Sequence, residues 1–484
     1  MESSPSVASE KSSRSSHTWS SYSRSTMDED TKRFIRWRRF TLFAACFIPF
    51  GAQFAKQCLP PLRPYFEQMG VSSTQFGLYL SSPSWPNLFQ PLVISLFVDN
   101  RGHESGAILF STFALLGHAL FAASLSMGGG SVDSAATWVG VFGRIVFGFG
   151  QGGSGIVQGA ILGSHFESDL SFAIGLAQSV KNLSNWLGRL APVAMAEYFG
   201  HNYLVPIWFC LLLLFISCLL AVVHVMFEEV HKPFAFNLAA PAVLLHTTHP
   251  HYSLDLEQRN VVITQERSRG LWRFIRGAPW AFWAINFLHL LFSNTSGLFT
   301  GFSTSFYVQE YGLSMQTSAF LSSLDALSPI LVAPLVGKLV DKYGNRLNLL
   351  MGFGMLDVCC FTIFAYFGQA SWTGGAWLPT LILSVAASAP STLLKSCIPL
   401  VCHEKQDMMI AFSIYFVFEN FGHAVGQLVL GHLRSKDTSS FQLNLQFLCG
   451  VSIVCVISAW MVKRWDQAHC DGLLSKPASL AVRM

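Results

Sequence analysis

Apolar stretches of about twenty residues, the length a helix needs to cross a hydrocarbon core, recur along almost the whole chain. Twelve can be placed: near 39–62, 75–98, 105–127, 137–163, 171–196 and 204–227, then near 279–305, 317–340, 347–368, 376–400, 408–431 and 441–462. Such a series constrains the fold more than any motif. In lipid every backbone polar group must be satisfied within the protein, so a many-span chain is a helical bundle or a closed barrel, and runs this long are helices. Only 12% of the 484 residues are charged, about half the share usual in a soluble domain. Spans 2 and 8 carry prolines inside them (Pro83, Pro86 and Pro91; Pro329 and Pro334), and both are expected to be interrupted there.

The remaining segments divide the chain. Residues 1–36 are Ser-rich and polar and are expected to be a disordered tail; 37–227 form one six-helix bundle, 228–277 a linker, 278–464 a second six-helix bundle and 465–484 a closing tail. No cleavable signal peptide is expected, the first span acting as an uncleaved anchor. Basic residues cluster before span 1 (Lys32, Arg33, Arg36, Arg38, Arg39), in the central break (Lys232, Arg259, Arg267 to Arg276), in loop 8–9 and after span 12 (Lys463, Arg464). The opposite side has only Arg63, Arg434 and Lys436. By the positive-inside rule both termini and the central loop face the cytosol. Most of the eleven cysteines lie in apolar runs without CxxC spacing and read as packing residues. The small net charge of +4 gives no nucleic-acid footprint. No nucleophile, metal cluster or nucleotide loop has a plausible context, so neither an enzyme nor a cofactor or metal is expected.

The two halves repeat one another. Span 5 holds Lys181-Asn182-Leu183-Ser184-Asn185-Trp186-Leu187-Gly188, and span 11 holds Glu419-Asn420-Phe421-Gly422-His423-Ala424-Val425-Gly426. The proline pairs of spans 2 and 8 share their spacing, and each is followed by Val-Asp (Val98-Asp99, Val340-Asp341). Loop 8–9 reads Gly337-Lys338-Leu339-Val340-Asp341-Lys342-Tyr343-Gly344-Asn345-Arg346. Here the Gly lets helices approach, the Asp can cap a helix N-terminus, and the basic residues hold the loop at the membrane edge. Loop 2–3 is a reduced copy, with Asp99, Arg101 and Gly102. Span 4 carries Arg144 within a glycine-rich run from Gly143 to Gly155 that reads as helix packing, since no strand precedes it.

Loop 8–9 resembles the G-x-x-x-D-[RK]-x-G-x-[RK] motif of major facilitator transporters, Arg144 resembles their span-4 arginine, and two parallel six-helix repeats are their organisation. The resemblance implies the major facilitator fold: an all-α membrane protein of about twelve transmembrane helices in two pseudo-symmetric bundles. It assigns Asp99, Arg101, Gly102, Arg144, Gly337, Asp341, Lys342, Gly344 and Arg346 to gating.

Ionisable groups at membrane depth are costly and usually face a water-filled cavity or a partner. Gln178, Lys181, Asn185 and Arg189 share one face of span 5, and Tyr415, Glu419, His423 and Gln427 one face of span 11. They read either as cavity lining or, for Lys181 with Glu419, as a buried ion pair joining the halves. The expected cavity residues are Lys56, Gln158, Gln178, Lys181, Asn182, Asn185, Asn286, Asp325, Glu419, Asn420 and His423. Asp325 is balanced between proton or substrate contact and local pairing. Asp357 is expected at a helix contact and His289 as a packing histidine.

Within the superfamily, Gly143 to Gly148, Ile156-Val157-Gln158, Ala173-Ile174-Gly175-Leu176 and Glu419-Asn420-Phe421-Gly422 resemble the major facilitator superfamily domain-containing protein 1 group. That resemblance implies lysosomal export of dipeptides by facilitated diffusion, with a glycosylated accessory subunit. Where the group has an acidic residue after the span-4 glycines this chain has Gly152, and where it has a span-5 arginine this chain has Asn182, with Lys181 one place earlier. The expectation is a secondary carrier, one functional unit per chain, for a small polar solute, dipeptides or amino acids first. An organic-anion carrier and a transporter-like receptor or scaffold are the alternatives. A lysosomal or other endomembrane is the expected location, with the plasma membrane the alternative.

Overall fold

The computed structural model describes residues 32–33, 35–127, 134–166, 170–243, 272–367, 373–401, 405–437 and 440–476. The expected tail before residue 32 and the central-loop residues 244–271 lie outside them. The described chain is all-helical, and each of the twelve expected spans is found. Span 1 is Ile35–Gln68. Span 2 starts as Ser73–Ser81, passes through two tight 3₁₀ turns at Ser82–Ser84 and Pro86–Leu88, and resumes in Gln90–Met127, which also contains span 3. Spans 4, 5 and 6 are Ser134–His165, Leu170–Tyr198 and Leu204–Val243. In the second half, span 7 is Trp280–Thr300 continued by Ser303–Tyr311, and span 8 is Met315–Tyr343. Spans 9, 10, 11 and 12 follow as Arg346–Phe367, Trp377–Ser388 with Pro390–Lys395, Lys405–Lys436 and Gln442–His469.

The repeat extends to backbone detail. Gly70 and Gly312 precede spans 2 and 8 with φ of 84° and 63°, and Gly102 and Gly344 close them with φ of 83° and 67°. All four adopt a conformation that only glycine takes cheaply. Between them, Ser72 accepts from the Gln75 N–H while the Gln75 side chain accepts from the Ser72 N–H, a reciprocal cap. Ser314 accepts from the Thr317 N–H at the matching place in the second half.

One expectation is corrected. Span 8 stays one continuous helix through Pro329 and Pro334. Those prolines are five residues apart and each deletes one bond, whereas Pro83 and Pro86 fall within a single turn and break span 2. There the Asn87 amide donates to the Pro83 carbonyl (3.2 Å), taking over a bond the helix has lost. The helix of span 6 runs on to Val243 and that of span 12 to His469, past the ends of their apolar stretches. Hydropathy marks where a helix leaves the membrane, not where it ends.

Each half has its own core. Phe54, Phe76, Phe121 and Phe147, and separately Phe110, Ile161 and Ala221, pack in the first. Phe282, Leu350 and Tyr415, and Phe302, Phe361 and Phe441, pack in the second. Trp37, His103, His165 and Glu228 meet at one end of the first bundle, and Phe274, Leu347, Ile398 and Leu474 at one end of the second. We term these the terminal ends, and the opposite ones the far ends. Seven described helices are long and apolar enough to cross a membrane on composition alone, those of spans 1, 3, 4, 6, 9, 10 and 12. Between the bundles, span 2 packs on span 11 and span 5 on span 8.

Candidate functional site

Glycines in span 4 admit its neighbours. A Cβ on Gly148 would sit 2.1 Å from the Pro83 carbonyl oxygen, and one on Gly117 of span 3 would sit 2.2 Å from the Phe147 nitrogen. Spans 2, 3 and 4 therefore lie backbone to backbone. This packing buries Arg144, which donates to the Tyr79 carbonyl (3.1 Å) just before the break in span 2. Its guanidinium lies over Phe121 and Phe147 at 5.3 and 5.1 Å.

A cavity of about 170 Å³ lies between the bundles. Lys56, Gln57, Arg144 and Arg189 reach it from the first half, and Asn294, Glu419, Asn420, His423 and Gln427 from the second. The cationic side chains all come from one wall and the carboxylate from the other. Glu419 is 42% exposed and is oriented by His289, which is fully buried, with 3.4 Å between Oε2 and Nε2. His289 stacks flat on Tyr415, ring centroids 3.5 Å apart, and the Tyr415 hydroxyl donates to the Ser391 carbonyl. His423 Nδ1 lies 3.4 Å from Ser84 Oγ of the first bundle, and Gln427 donates to the Gly297 carbonyl.

Beyond the cavity the far end is sealed. Arg189 forms an ion pair with Asp325, donates to Gln57 (2.9 Å) and reaches the Ser322 carbonyl (3.4 Å). Asp325 also accepts from the Thr300 hydroxyl at 2.9 Å. Arg63 reaches the Gly301 carbonyl (3.3 Å), and Gln316 donates to Glu197. Span 2 presses on span 11, where a Cβ on Gly77 would lie 2.9 Å from the Gln427 carbonyl oxygen and 3.3 Å from the Gly431 Cα. These bonds between the bundles, among the described residues, all lie at the middle or the far end.

Of the expected cavity residues, Lys56, Glu419, Asn420 and His423 line the cavity. Arg144, expected in gating, lines it too, and Arg189, Gln57, Gln427 and Asn294 join them. Five others are spent on bonds within the protein, four of them inside a bundle and one, that of Asp325, between the bundles. Gln158 donates to the Ala45 carbonyl, Asn286 to the Phe282 carbonyl, Gln178 to Asn182, and Asp325 is held by Arg189. Asn185 and Lys181 are half-buried on span 5 outside the lining. Lys181 lies in the field of Glu419, Lys395 and Lys56 but forms no ion pair with Glu419 among the described residues, where His289 takes that place. Lys395 sits over the Tyr415 and Phe416 rings, 5.8 and 5.4 Å from their centroids. Asp357 is buried.

In loop 8–9, Arg346 is buried and binds outward from the motif: to Ser396 Oγ (3.1 Å) and to the Lys476 carbonyl (2.7 Å) of the segment after span 12. Gly337 is half-buried and Lys342 exposed, its ammonium 5.0 Å from the Tyr343 ring centroid. The side chains of Asp99, Arg101 and Asp341, on which the capping role rests, lie outside what is described.

The model of the Major Facilitator Superfamily matches residues 45–427. Among curated proteins, the chain is 23% identical to the human (Homo sapiens) lysosomal dipeptide transporter MFSD1 over 443 residues, 88% of this chain and 86% of that protein. Among solved structures it is similar to a POT family transporter in complex with 5-aminolevulinic acid, with a TM-score of 0.63 and 12% identity over 87% of this chain and 95% of that one. It is also similar to the nucleoside transporter NupG, with a TM-score of 0.58 and 13% identity over 88% and 99%.

Proposed function

The chain belongs to the Major Facilitator Superfamily, secondary transporters and not enzymes, and from that premise we propose that its cargo is a small zwitterion, a free amino acid or a short peptide. The observation that carries the reading is the opposed charge across the cavity, with Lys56 and Arg144 on one wall and Glu419 on the other. A carboxylate would be met by the first pair and an ammonium by Glu419. In a partly desolvated site a solute lacking either group leaves a buried charge unpaired, which discriminates far more strongly than a missing methylene does. The volume is modest. Cavities of about 150 Å³ in other proteins admit a benzene-sized guest, so the shortest peptides are the upper bound in this conformation.

The human relative is named a lysosomal dipeptide transporter, which supports the same class of cargo and an endolysosomal membrane. The match is distant, and the recognition side chains differ. A side chain at Gly152 would meet Asn87 Oδ1 at 2.0 Å and Gln90 Oε1 at 2.7 Å, so the space an acidic residue would need there is filled by span 2. Glu419 is the carboxylate left to read an amine. An organic anion is the second reading, favoured by the excess of Lys56, Arg144, Lys181 and Lys395 over Glu419, the one lining carboxylate among the described residues. The proposed orientation puts the terminal ends in the cytosol, on the strength of the basic residues there. A glycosylated accessory subunit, as the family resemblance implies, is a further proposal that co-purification from native membranes would test.

Purified protein in liposomes, offered amino-acid, dipeptide and organic-anion pools, tests the assignment. Uptake of zwitterions in preference to anions is expected. Uptake confined to organic anions would transfer the function to the second reading.

A further inference from the structure

A second cluster of chemistry-bearing side chains sits at the terminal end of the first bundle, away from the cavity. His103 follows the Gly102 break at the start of span 3, His165 ends span 4, and His224 and Glu228 lie one turn apart on span 6. All three imidazoles converge on one carboxylate. His103 Nε2 and His165 Nε2 lie 3.1 and 3.3 Å from Glu228 Oε1, and His224 Nε2 lies 3.3 Å from Oε2. Ligand atoms of His103, His165 and Glu228 all fall within 4.8 Å of one another. His224 is 1% exposed and Glu228 2%. Both ring nitrogens of His224 and Glu228 Oε2 are buried without a hydrogen bond among the described residues.

We propose that this cluster is a binding site for one zinc-like divalent ion, with His103, His165 and Glu228 as ligands, His224 beside them on the second Glu228 oxygen, and the fourth position open. Three observations carry it. The donor set is imidazole and carboxylate, the nitrogen–oxygen mixture that zinc takes in tetrahedral sites. Metal–ligand bonds of about 2.0–2.1 Å imply tetrahedral edges of roughly 3.3 Å, which matches the 3.1 and 3.3 Å from His103 and His165 Nε2 to Glu228 Oε1. The third observation is the hydrogen-bond inventory. His165 Nδ1 lies 2.9 Å from the Ile161 carbonyl, which orients the ring so that Nε2 is the nitrogen turned to the cluster. An imidazole held by a backbone carbonyl through its other nitrogen is how ligating histidines are usually oriented. The ion would neutralise the buried Glu228 charge and bind the two imidazole nitrogens that face its Oε1.

Such an ion would brace spans 3, 4 and 6 beside Gly102, where the reduced gating motif of loop 2–3 ends. It rests on residues that the transport reading does not use.

The test uses the full-length protein with a tag free of histidine, stripped with a chelator and titrated with Zn²⁺, then with Co²⁺ as a spectroscopic probe. About one Zn²⁺ per chain, a rise in melting temperature on adding it, and the visible absorption of tetrahedral Co²⁺ are expected. Glu228→Gln and His165→Gln keep the size of each side chain and much of its hydrogen bonding. Each should weaken Zn²⁺ at least tenfold and abolish the Co²⁺ band, while the histidines of the central loop remain in both variants as an internal control. The proposal is overturned if the wild type gains no stability from Zn²⁺, or if it binds no more Zn²⁺ than the two variants do. Either result would mean a hydrogen-bonded ion cluster only.

Discussion

Glu419 and Lys181 occupy matching positions in the two repeats, and their sequence context invites pairing them. The fold instead gives Glu419 to His289 and leaves Lys181 on span 5 without an ion pair to it among the described residues. The pair that does cross between the bundles is Arg189 with Asp325. Two double-mutant cycles read on stability should therefore differ. Lys181→Ala and Glu419→Ala should add to within about 0.5 kcal/mol, as separated sites do. Arg189→Ala or Asp325→Ala alone should be strongly destabilising, by roughly 3–5 kcal/mol if the partner charge stays buried, and the double variant should recover part of the loss. Strong coupling in the first cycle and none in the second would reverse the assignment. Membership of Asp325 in a polar network was legible from its place mid-span, but its partner was not. A helical stripe says which residues share a face, whereas the rotation of that face toward another helix is set by packing from both bundles.

At the level of elements, the glycines of span 4 decide how closely span 2 can approach. Gly148→Ala puts a methyl where the Pro83 carbonyl stands. Overpacking of this kind typically costs about 1–3 kcal/mol, and here it should push the broken segment of span 2 away from Arg144. A melting-temperature drop with weaker solute binding is expected. Gly159→Ala, with nothing within 4 Å of its Cβ, is the matched control and should leave both unchanged. The glycine run was readable as packing from sequence, because closely spaced glycines in an apolar helix have few other uses. The loop 8–9 motif was readable as well, but the partners of Arg346, in span 10 and in the segment after span 12, were not, since the motif is local and those contacts are distant in sequence. The histidine cluster is the clearest omission. His103, His165 and His224 are scattered and individually ordinary. The available signal was His224 and Glu228 four residues apart, two potential ligands on one face of a helix.

At the scale of the molecule, a chain sealed at its far end by Arg189–Asp325, Arg63–Gly301 and Gln316–Glu197 must release those contacts to expose its cavity on both sides in turn. Glu197→Cys with Gln316→Cys, in a background depleted of native cysteines, should cross-link with a short thiol reagent in the resting protein and stop turnover, and cleaving a reducible linker should restore it. Undiminished transport after complete cross-linking would rule out opening at that end. The central claim is that two opposed charged walls select a zwitterion, and solute counterflow in liposomes tests it most directly. The measurement compares a short peptide or amino acid with the same molecule blocked at its amine and blocked at its carboxylate, in wild type and in Glu419→Gln. The account predicts counterflow of the free zwitterion, at least a tenfold loss for either blocked form, and in Glu419→Gln a selective loss of preference for the free amine. Equal counterflow of the amine-blocked form in the wild type would contradict it.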